Sequence, residues 1–363
     1  MKVVISAGGT GGHIYPALAV LEKLKKEDKT LEVLYIGTKN RMESEIIPNR
    51  GIDYVGIEIY GFSKKKILRD IKNIFLVSAG YRKCLKILKE FKPDIVLGFG
   101  GYVTYPVLKA AKKLNIKTFL HEQNSIVGKT NKFLSNGIDL VAVSFLSTLN
   151  KFPKAKKVIY SGNPCGENAL TTKEIKKSEI GLDNKKKLVI VVAGSLGSSS
   201  INEKLKEFLR LSKKSNYQVL YITGKTHYEE FIKGTRFGSN IKVLPYLDNL
   251  AGLMRNCDLI VTRAGASTMS EILALNLPAI FIPSPYVAGN HQVYNALEIV
   301  KNNAGLMIEE QELNGEKLFN MVTDLLNDKQ KYEIMKMNLR NLGKTDSSEI
   351  IVKEIKELLK WKK

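Results

Sequence analysis

The sequence is poor in the residues that mark several protein classes. Its 363 residues include one tryptophan and three cysteines. Cys84, Cys165 and Cys257 are far apart, odd in number and form no C-x-x-C pair. That argues against a disulfide framework or a zinc site and fits a reducing cytoplasm. No uninterrupted apolar run is long enough to span a bilayer. The first apolar stretch, Val3–Ala7, is too short for a secretory signal and runs straight into glycines. No D-x-D occurs, so the usual carboxylate handle for a metal-bound nucleoside diphosphate is missing. Any pyrophosphate must then be neutralised by helix ends and basic side chains, and neither a metal nor another cofactor is expected. Acids are also scarce: 36 Asp and Glu face 57 Lys and Arg, a formal net charge of +21.

The distribution of charge says more than its size. Residues 1–163 carry 28 basic against 13 acidic residues, so most of the excess lies in the first half. Nucleic acid, an anionic membrane, an anionic substrate or a lysine-rich composition would each account for it. Nucleic acid is disfavoured, because the bases cluster with apolar residues and no aromatic-rich stacking platform is visible.

The length predicts two domains. The first half alternates β-rich runs with helical stretches such as Pro16–Lys26 and Tyr105–Leu114, the pattern of a parallel sheet covered on both faces. The pattern restarts at KKKLVIVVAGSLGSSSINEKLKEFL (185–209), again a strand, a small-residue loop and a helix. The expectation is α/β, two doubly wound Rossmann-like domains facing a cleft, with residues 1–163 and 164–345 as the two parts. Residues 346–363 read as one helix packing back on the first domain.

Each half carries a glycine-rich or small-residue loop where a strand meets a helix. Such a loop lets backbone N–H groups approach an anion at the positive end of a helix dipole. The first is GGTGGH (8–13), which is neither G-x-G-x-x-G nor a P-loop, so ATP hydrolysis is disfavoured. The second strand, in LEVLYIGTKNRME, ends in Gly and Thr where a dinucleotide fold wants an acid, so a nicotinamide enzyme is weakly supported. His13, where a helix begins, is a candidate proton acceptor because helix N-termini disfavour imidazolium; capping or packing is the plain alternative. FLHEQNS (119–125) sets four hydrogen-bonding side chains past a strand end, a pattern suited to a ligand rich in hydroxyls or to a capped loop. In VTRAGASTMSEILALNLPAIFIP (261–283), Ser267 and Thr268 can cap a helix and donate to a ligand, while Glu271 can accept two sugar hydroxyls or merely complement the dipole.

Residues 61–92 combine ten positive charges with Ile67, Ile71, Ile74, Phe75 and Ser78 at helical spacing. An apolar stripe ringed by lysines suits an anionic membrane surface through residues 64–86; a core-facing helix with a solvated basic face reads equally well.

Taken together, GGTGGHIYPALA, GFGGYVTYP (98–106), HEQNS, GNP (162–164), AGSLGS (193–198), RAGASTMSE (263–271) and NHQVYNA (290–296) resemble, in order and over essentially the whole chain, the MurG family of GT-B glycosyltransferases. The resemblance implies a GT-B fold and inverting transfer of GlcNAc from UDP-GlcNAc to the C4 hydroxyl of lipid I, undecaprenyl-pyrophosphoryl-MurNAc-pentapeptide, giving lipid II for peptidoglycan. It implies a peripheral enzyme at the cytoplasmic face of the cell membrane, with partners in the cell-wall synthesis machinery. The base candidate is His13, with Glu122 as the rival; His13, on the phosphate loop, could instead bind the acceptor diphosphate. On the donor side it implies Ser195 at a phosphate, Leu247 reading the uracil through its backbone and Glu271 on the ribose. Ser267 and Thr268 would lie at the phosphates, His291, Gln292 and Asn295 at the GlcNAc, and Ala266 also on the donor side. Thr10, Gly11, Gly12, His13 and Asn124 would complete the donor contacts. Thr10, His13, Tyr102, Glu122 and Asn124 would gather round the acceptor. Two positions depart from the family pattern: Gly166 stands where many relatives have Arg, and Leu196 where many have Gln. Another group must then neutralise the donor phosphates, or nucleotide affinity is lower.

Overall fold

The computed structural model describes residues 1–61, 67–192 and 199–361. The chain divides into two compact units, residues 1–165 with 346–363, and residues 166–345.

The first unit holds a parallel sheet of β1 (Lys2–Ala7), β2 (Glu32–Thr38), β3 (Asp53–Ile57), β4 (Ile95–Gly100), β5 (Lys117–Glu122), β6 (Leu140–Val143) and β7 (Val158–Tyr160), in the order β3-β2-β1-β4-β5-β6-β7. The strands read as unbroken apolar runs because both faces are covered. Along β1, Val3, Ile5 and Ala7 enter one core and Val4 the other. The helix Gly11–Glu27 covers the first face; the helices Ile67–Phe91 and Thr104–Lys113 cover the second.

The second unit holds β8 (Leu188–Val192), β9 (Gln218–Ile222), β10 (Ile241–Leu244), β11 (Leu259–Thr262), β12 (Ala279–Phe281) and β13 (Leu306–Met307), all parallel, in the order β10-β9-β8-β11-β12-β13. In each sheet the strand order reverses once, between β1 and β4 and between β8 and β11. The loops leaving those strands are where a doubly wound sheet takes its ligand.

One boundary differs from expectation. The first helix begins at Gly11, not Pro16, and carries Pro16 inside it. Proline is favoured at a helix start, which is why the sequence points there. The extra turn is held by His13 N–H and Ile14 N–H donating to Thr10 O, at 3.1 and 3.4 Å. That turn brings Gly11, Gly12 and His13 into the helix N-terminus.

The helix Ser347–Leu359 belongs to the first unit. Its Ile351, Val352 and Ile355 are buried in the same core as Leu18, Leu21 and Leu24 of the first helix. Lys356 pairs with Glu27, and Lys157 with Glu354. Trp361, the single tryptophan, lies just beyond, with Lys356 Nζ 4.9 Å from its ring centre. Its fluorescence therefore reports the first unit. Ile355→Ala is expected to destabilise that unit by about 2–5 kcal/mol. Tryptophan-monitored denaturation should shift to lower denaturant, while a probe placed in residues 166–345 reports an unchanged transition.

Candidate functional site

In the first unit the ends of β1, β4 and β5 converge because glycines let backbones meet. Gly101 has φ +83°, and a Cβ there would lie 2.3 Å from Gly8 O. Gly100 has φ +100°, and a Cβ there would lie 2.8 Å from His13 Nδ1. The His13 ring thus lies against the Cα of Gly100. Any side chain at 100 or 101 would push the helix start off the strand end.

Few of the loop's N–H groups are left for an anion. Gly8 N–H donates to Gly100 O at 3.3 Å. Gly9 N–H donates to a Glu43 carboxylate oxygen at 3.1 Å. The other Glu43 oxygen accepts from Thr38 N–H at 3.1 Å and Thr38 Oγ1 at 2.6 Å. Glu43 is fully buried. The acid missing from the end of the second strand is therefore present five residues on, turned inward onto amides rather than outward to a ribose. Thr10 begins the helix with extended backbone and no side-chain capping bond, and no acidic residue occupies the first turn. The anion-binding potential accordingly sits at Thr10, Gly11 and Gly12.

The 121–124 segment departs from the expectation of a row of ligand contacts. β5 runs through Glu122, so His121, Glu122 and Gln123 are all buried and bond to protein. The Glu122 carboxylate accepts from Asn124 N–H (3.0 Å), Gly128 N–H (2.9 Å) and Asn131 Nδ2 (2.8 Å). Burial raises its pKa and these donors pull it back. It holds the 124–131 loop. Asn124, half-buried, also donates from its side chain to Glu122, at 3.4 Å. Gln123, given no role from sequence, joins His13 and His121. His13 Nδ1 lies 3.1 Å from Gln123 Oε1, and Gln123 Nε2 lies 3.0 Å from His121 Nδ1. The signal was the unbroken polar quartet at a strand end. Burial pushes the His121 pKa down to about 4, so this ring is neutral at ordinary pH. The Tyr102 ring covers Gly9 and Gly61, and its hydroxyl is buried without a hydrogen-bond partner among the described residues.

In the second unit the corresponding switch point lies at the ends of β8 and β11. Ser195 and Leu196, which follow β8, fall outside the described residues. After β11, Gly265 begins the helix Ala266–Leu275 with no side-chain cap. Ser267 Oγ is buried without a partner among the described residues. Thr268 lies in the same first turn. Glu271, one turn in, is partly buried; no hydrogen bond or ion pair to its carboxylate is found among the described residues, and burial alone pushes its pKa up to about 7. Leu247, in the loop after β10, is half-buried.

Three side chains here serve the scaffold. Arg263 pairs with Glu310 at 2.6 Å and donates to Ile282 O at 3.1 Å. Asn295 is fully buried and donates to Ala264 O at 3.2 Å. Gln292 Oε1 accepts from Ser284 N–H at 2.8 Å, and His291 begins the same helix, His291–Val300. Gly166 has a steric reason to lack a side chain: a Cβ would lie 2.8 Å from Ser270 O. Among the described residues no cluster of His, Cys, Asp or Glu has the makings of a metal site.

Comparison with known proteins agrees with this architecture along the whole chain. Residues 3–143 match the glycosyltransferase family 28 N-terminal domain and residues 188–353 its C-terminal domain. Two relatives carry the name UDP-N-acetylglucosamine–N-acetylmuramyl-(pentapeptide) pyrophosphoryl-undecaprenol N-acetylglucosamine transferase. The one from Bacillus licheniformis is 41% identical over 99% of both chains. The one from Halalkalibacterium halodurans is 42% identical over 99% of this chain and all of its own. The crystal structure of Acinetobacter baumannii MurG is 28% identical, with a TM-score of 0.79 over 98% of this chain and 99% of its own. A UDP complex of Staphylococcus aureus MnaA, at 18% identity and TM-score 0.72 over 99% of this chain and 97% of its own, shares the fold. The chain belongs to glycosyltransferase family 28 and, within it, to the UDP-N-acetylglucosamine–N-acetylmuramyl-(pentapeptide) pyrophosphoryl-undecaprenol N-acetylglucosamine transferases.

Proposed function

We propose that this chain transfers GlcNAc from UDP-GlcNAc to the C4 hydroxyl of lipid I, giving lipid II and UDP. Full-length identity with enzymes named for this transfer carries the reading. The linkage changes from α to β in one in-line displacement. The acceptor oxygen bonds to C1 of GlcNAc as the bond from C1 to the UDP oxygen breaks, and a base takes the hydroxyl proton. We assign the acceptor to the first unit and the nucleotide to the second. Thr10, Gly11 and Gly12, at a helix start with no capping side chain, suit the lipid diphosphate, with Tyr102 and Asn124 beside it. The start of Ala266–Leu275, with Ser267 and Thr268, suits the UDP phosphates, and Glu271 the ribose. Ser195, Leu247, His291, Gln292 and Asn295 complete the donor side, the last through the loop it supports. Helix dipoles and basic groups neutralise the pyrophosphates, so chelator should leave turnover unchanged.

His13 is the base in this reading. Glu122 is already saturated by donors from its own loop, which suits a structural carboxylate better than one that must collect a proton. His13→Ala is expected to lower kcat about 10²–10⁴-fold with a soluble lipid I analogue. Glu122→Gln should act mainly through stability and acceptor KM. Near-normal kcat in His13→Ala, with a collapse of kcat in Glu122→Gln that remains after correction for folded fraction, reverses the assignment.

Glu271 gives a pH dependence of definite sign. Its folded pKa, about 7, lies above the usual glutamate value near 4.5, so ionising it costs stability in the folded protein. Wild-type stability should fall as pH rises through that interval. Glu271→Gln should remove the fall, gaining thermal stability above about pH 7 and none below about pH 4.5. The same variant should bind UDP about 10–100-fold more weakly at high pH, because a charged acceptor for two hydroxyls is gone. Wild-type UDP affinity should weaken as pH drops below about 7.

Membrane attachment is the third element. On the helix Ile67–Phe91, Ile71, Ile74 and Phe75 are 50%, 59% and 72% exposed, among Lys72, Arg82, Lys83 and Lys86. Lys64, Lys65 and Lys66 lie outside the described residues. Asn73 ties the helix to Tyr60 by two backbone bonds, leaving the apolar stripe outward. An apolar stripe ringed by cations suits anionic lipid. No described helix is long and apolar enough to cross a membrane. Phe75→Ala is expected to weaken co-sedimentation with phosphatidylglycerol vesicles about tenfold or more, given about 1.5–3 kcal/mol for a buried Phe. Salt should weaken it further, with turnover of a soluble acceptor analogue unchanged. Binding indifferent to both sinks the membrane proposal.

A further inference from the structure

We infer that Gln123 and His121 form a hydrogen-bond relay that sets the tautomer of His13, keeping the proton on Nδ1 and the lone pair on Nε2. The inference rests on His13 as the base for its catalytic meaning, but its geometry stands independently.

The relay is anchored at each end by a backbone carbonyl, which can only accept. Gln123 has one terminal atom 2.7 Å from Phe99 O. Two acceptors at that distance repel, so the atom is the NH₂ group, and the orientation of the amide is decided. Its second hydrogen points at His121 Nδ1, 3.0 Å away, which must accept. His121 Nε2 faces Gly162 O at 3.2 Å and must donate. These two conditions define one neutral tautomer of His121. A charged His121 would set N–H against NH₂, and burial of the ring disfavours that form in any case. With its nitrogen side committed, Gln123 turns its oxygen to His13 Nδ1 at 3.1 Å, and an amide oxygen can only accept. His13 Nδ1 must therefore carry a hydrogen, and in the neutral ring the lone pair is on Nε2.

The consequence is for the acid–base step. An imidazole without such a partner populates both tautomers, and the one with hydrogen on Nε2 cannot take a proton there. The relay removes that form. It also survives the reaction: when His13 gains a proton at Nε2, Nδ1–H still donates to Gln123 and no other member moves. Gln123 and His121 are positioning residues; neither need touch substrate. Gly100 belongs to the same device, because a Cβ there would displace the His13 ring that the amide orients.

Four histidines make the test tractable by NMR of the full chain with ¹⁵N-labelled histidine. His13→Ala assigns the resonances by difference. Above neutral pH, in the absence of substrate, His13 should show a protonated Nδ1 and an unprotonated Nε2, and His121 the reverse. Gln123→Met, close in length and without polar hydrogens, should give a mixture of His13 tautomers. In that variant kcat should fall roughly 100-fold with donor KM within about twofold. A wild-type His13 with hydrogen on Nε2 overturns the relay, and this result needs no variant that folds. An unchanged His13 tautomer in folded Gln123→Met also overturns it. If the tautomers are as stated but His13→Ala keeps its turnover, the relay stands and the assignment of His13 as base falls.

Discussion

The first unit depends on one close approach. β1 and β4 are neighbours at the point where the sheet order reverses, and the loops leaving them must pass within backbone contact. Gly8 and Gly101 make that contact, with no room for a Cβ on residue 101. Gly100 gives the His13 ring its seat, and Gly8 sits over the Glu43 carboxylate, whose Oε1 would be 2.3 Å from a Cβ on residue 8. A helix start, a strand end, an imidazole and a buried acid thus converge on three glycines. Substituting any of them would move several groups at once.

Two buried carboxylates do parallel work around that point. Glu43 binds the amides of Gly9 and Thr38; Glu122 binds those of Asn124 and Gly128 and the Asn131 amide group. Each holds a loop by accepting from several donors, the arrangement that makes an anion tolerable away from water. Each also removes N–H groups from any anionic ligand. The first turn of Gly11–Glu27, which lacks both an acid and a capping side chain, keeps what remains. The positive end of that helix dipole is therefore neither capped by a side chain nor offset by an acid of its own first turn.

The alternation of strands was fully legible, because a parallel sheet buried on both faces writes each strand as a short apolar run bounded by polar residues. The apolar stretch Val3–Ala7 lies within β1 (Lys2–Ala7), and the apolar run that opens 185–209 contains β8 (Leu188–Val192). Helix ends were less legible. Pro16 marks a plausible start, and only the tertiary contact of Gly100 with His13 shows why the helix begins a turn earlier. The helices Gly315–Asn327 and Lys329–Leu342 went unread, although Leu318, Val322 and Leu325 have helical spacing. The motif residues were legible as residues; their directions were not. HEQN reads as four outward contacts, yet three of the four face inward, because no one-dimensional pattern says which backbone carbonyls wait beside a strand end. Glu43 escaped for the same reason: an acid five residues past its strand folds back only when a glycine loop lies beneath it.

Several buried polar side chains of the second unit are answered by the protein itself. Asn295 and Gln292 have strong bonds to backbone, and Arg263 is consumed by Glu310 and Ile282. Among the described residues, Ser267 Oγ and Tyr102 Oη have no such answer, and the Glu271 carboxyl meets burial without a compensating donor. A ligand that supplies partners to such groups gains free energy on binding. In the first unit His13 Nδ1 is likewise answered, by Gln123 Oε1.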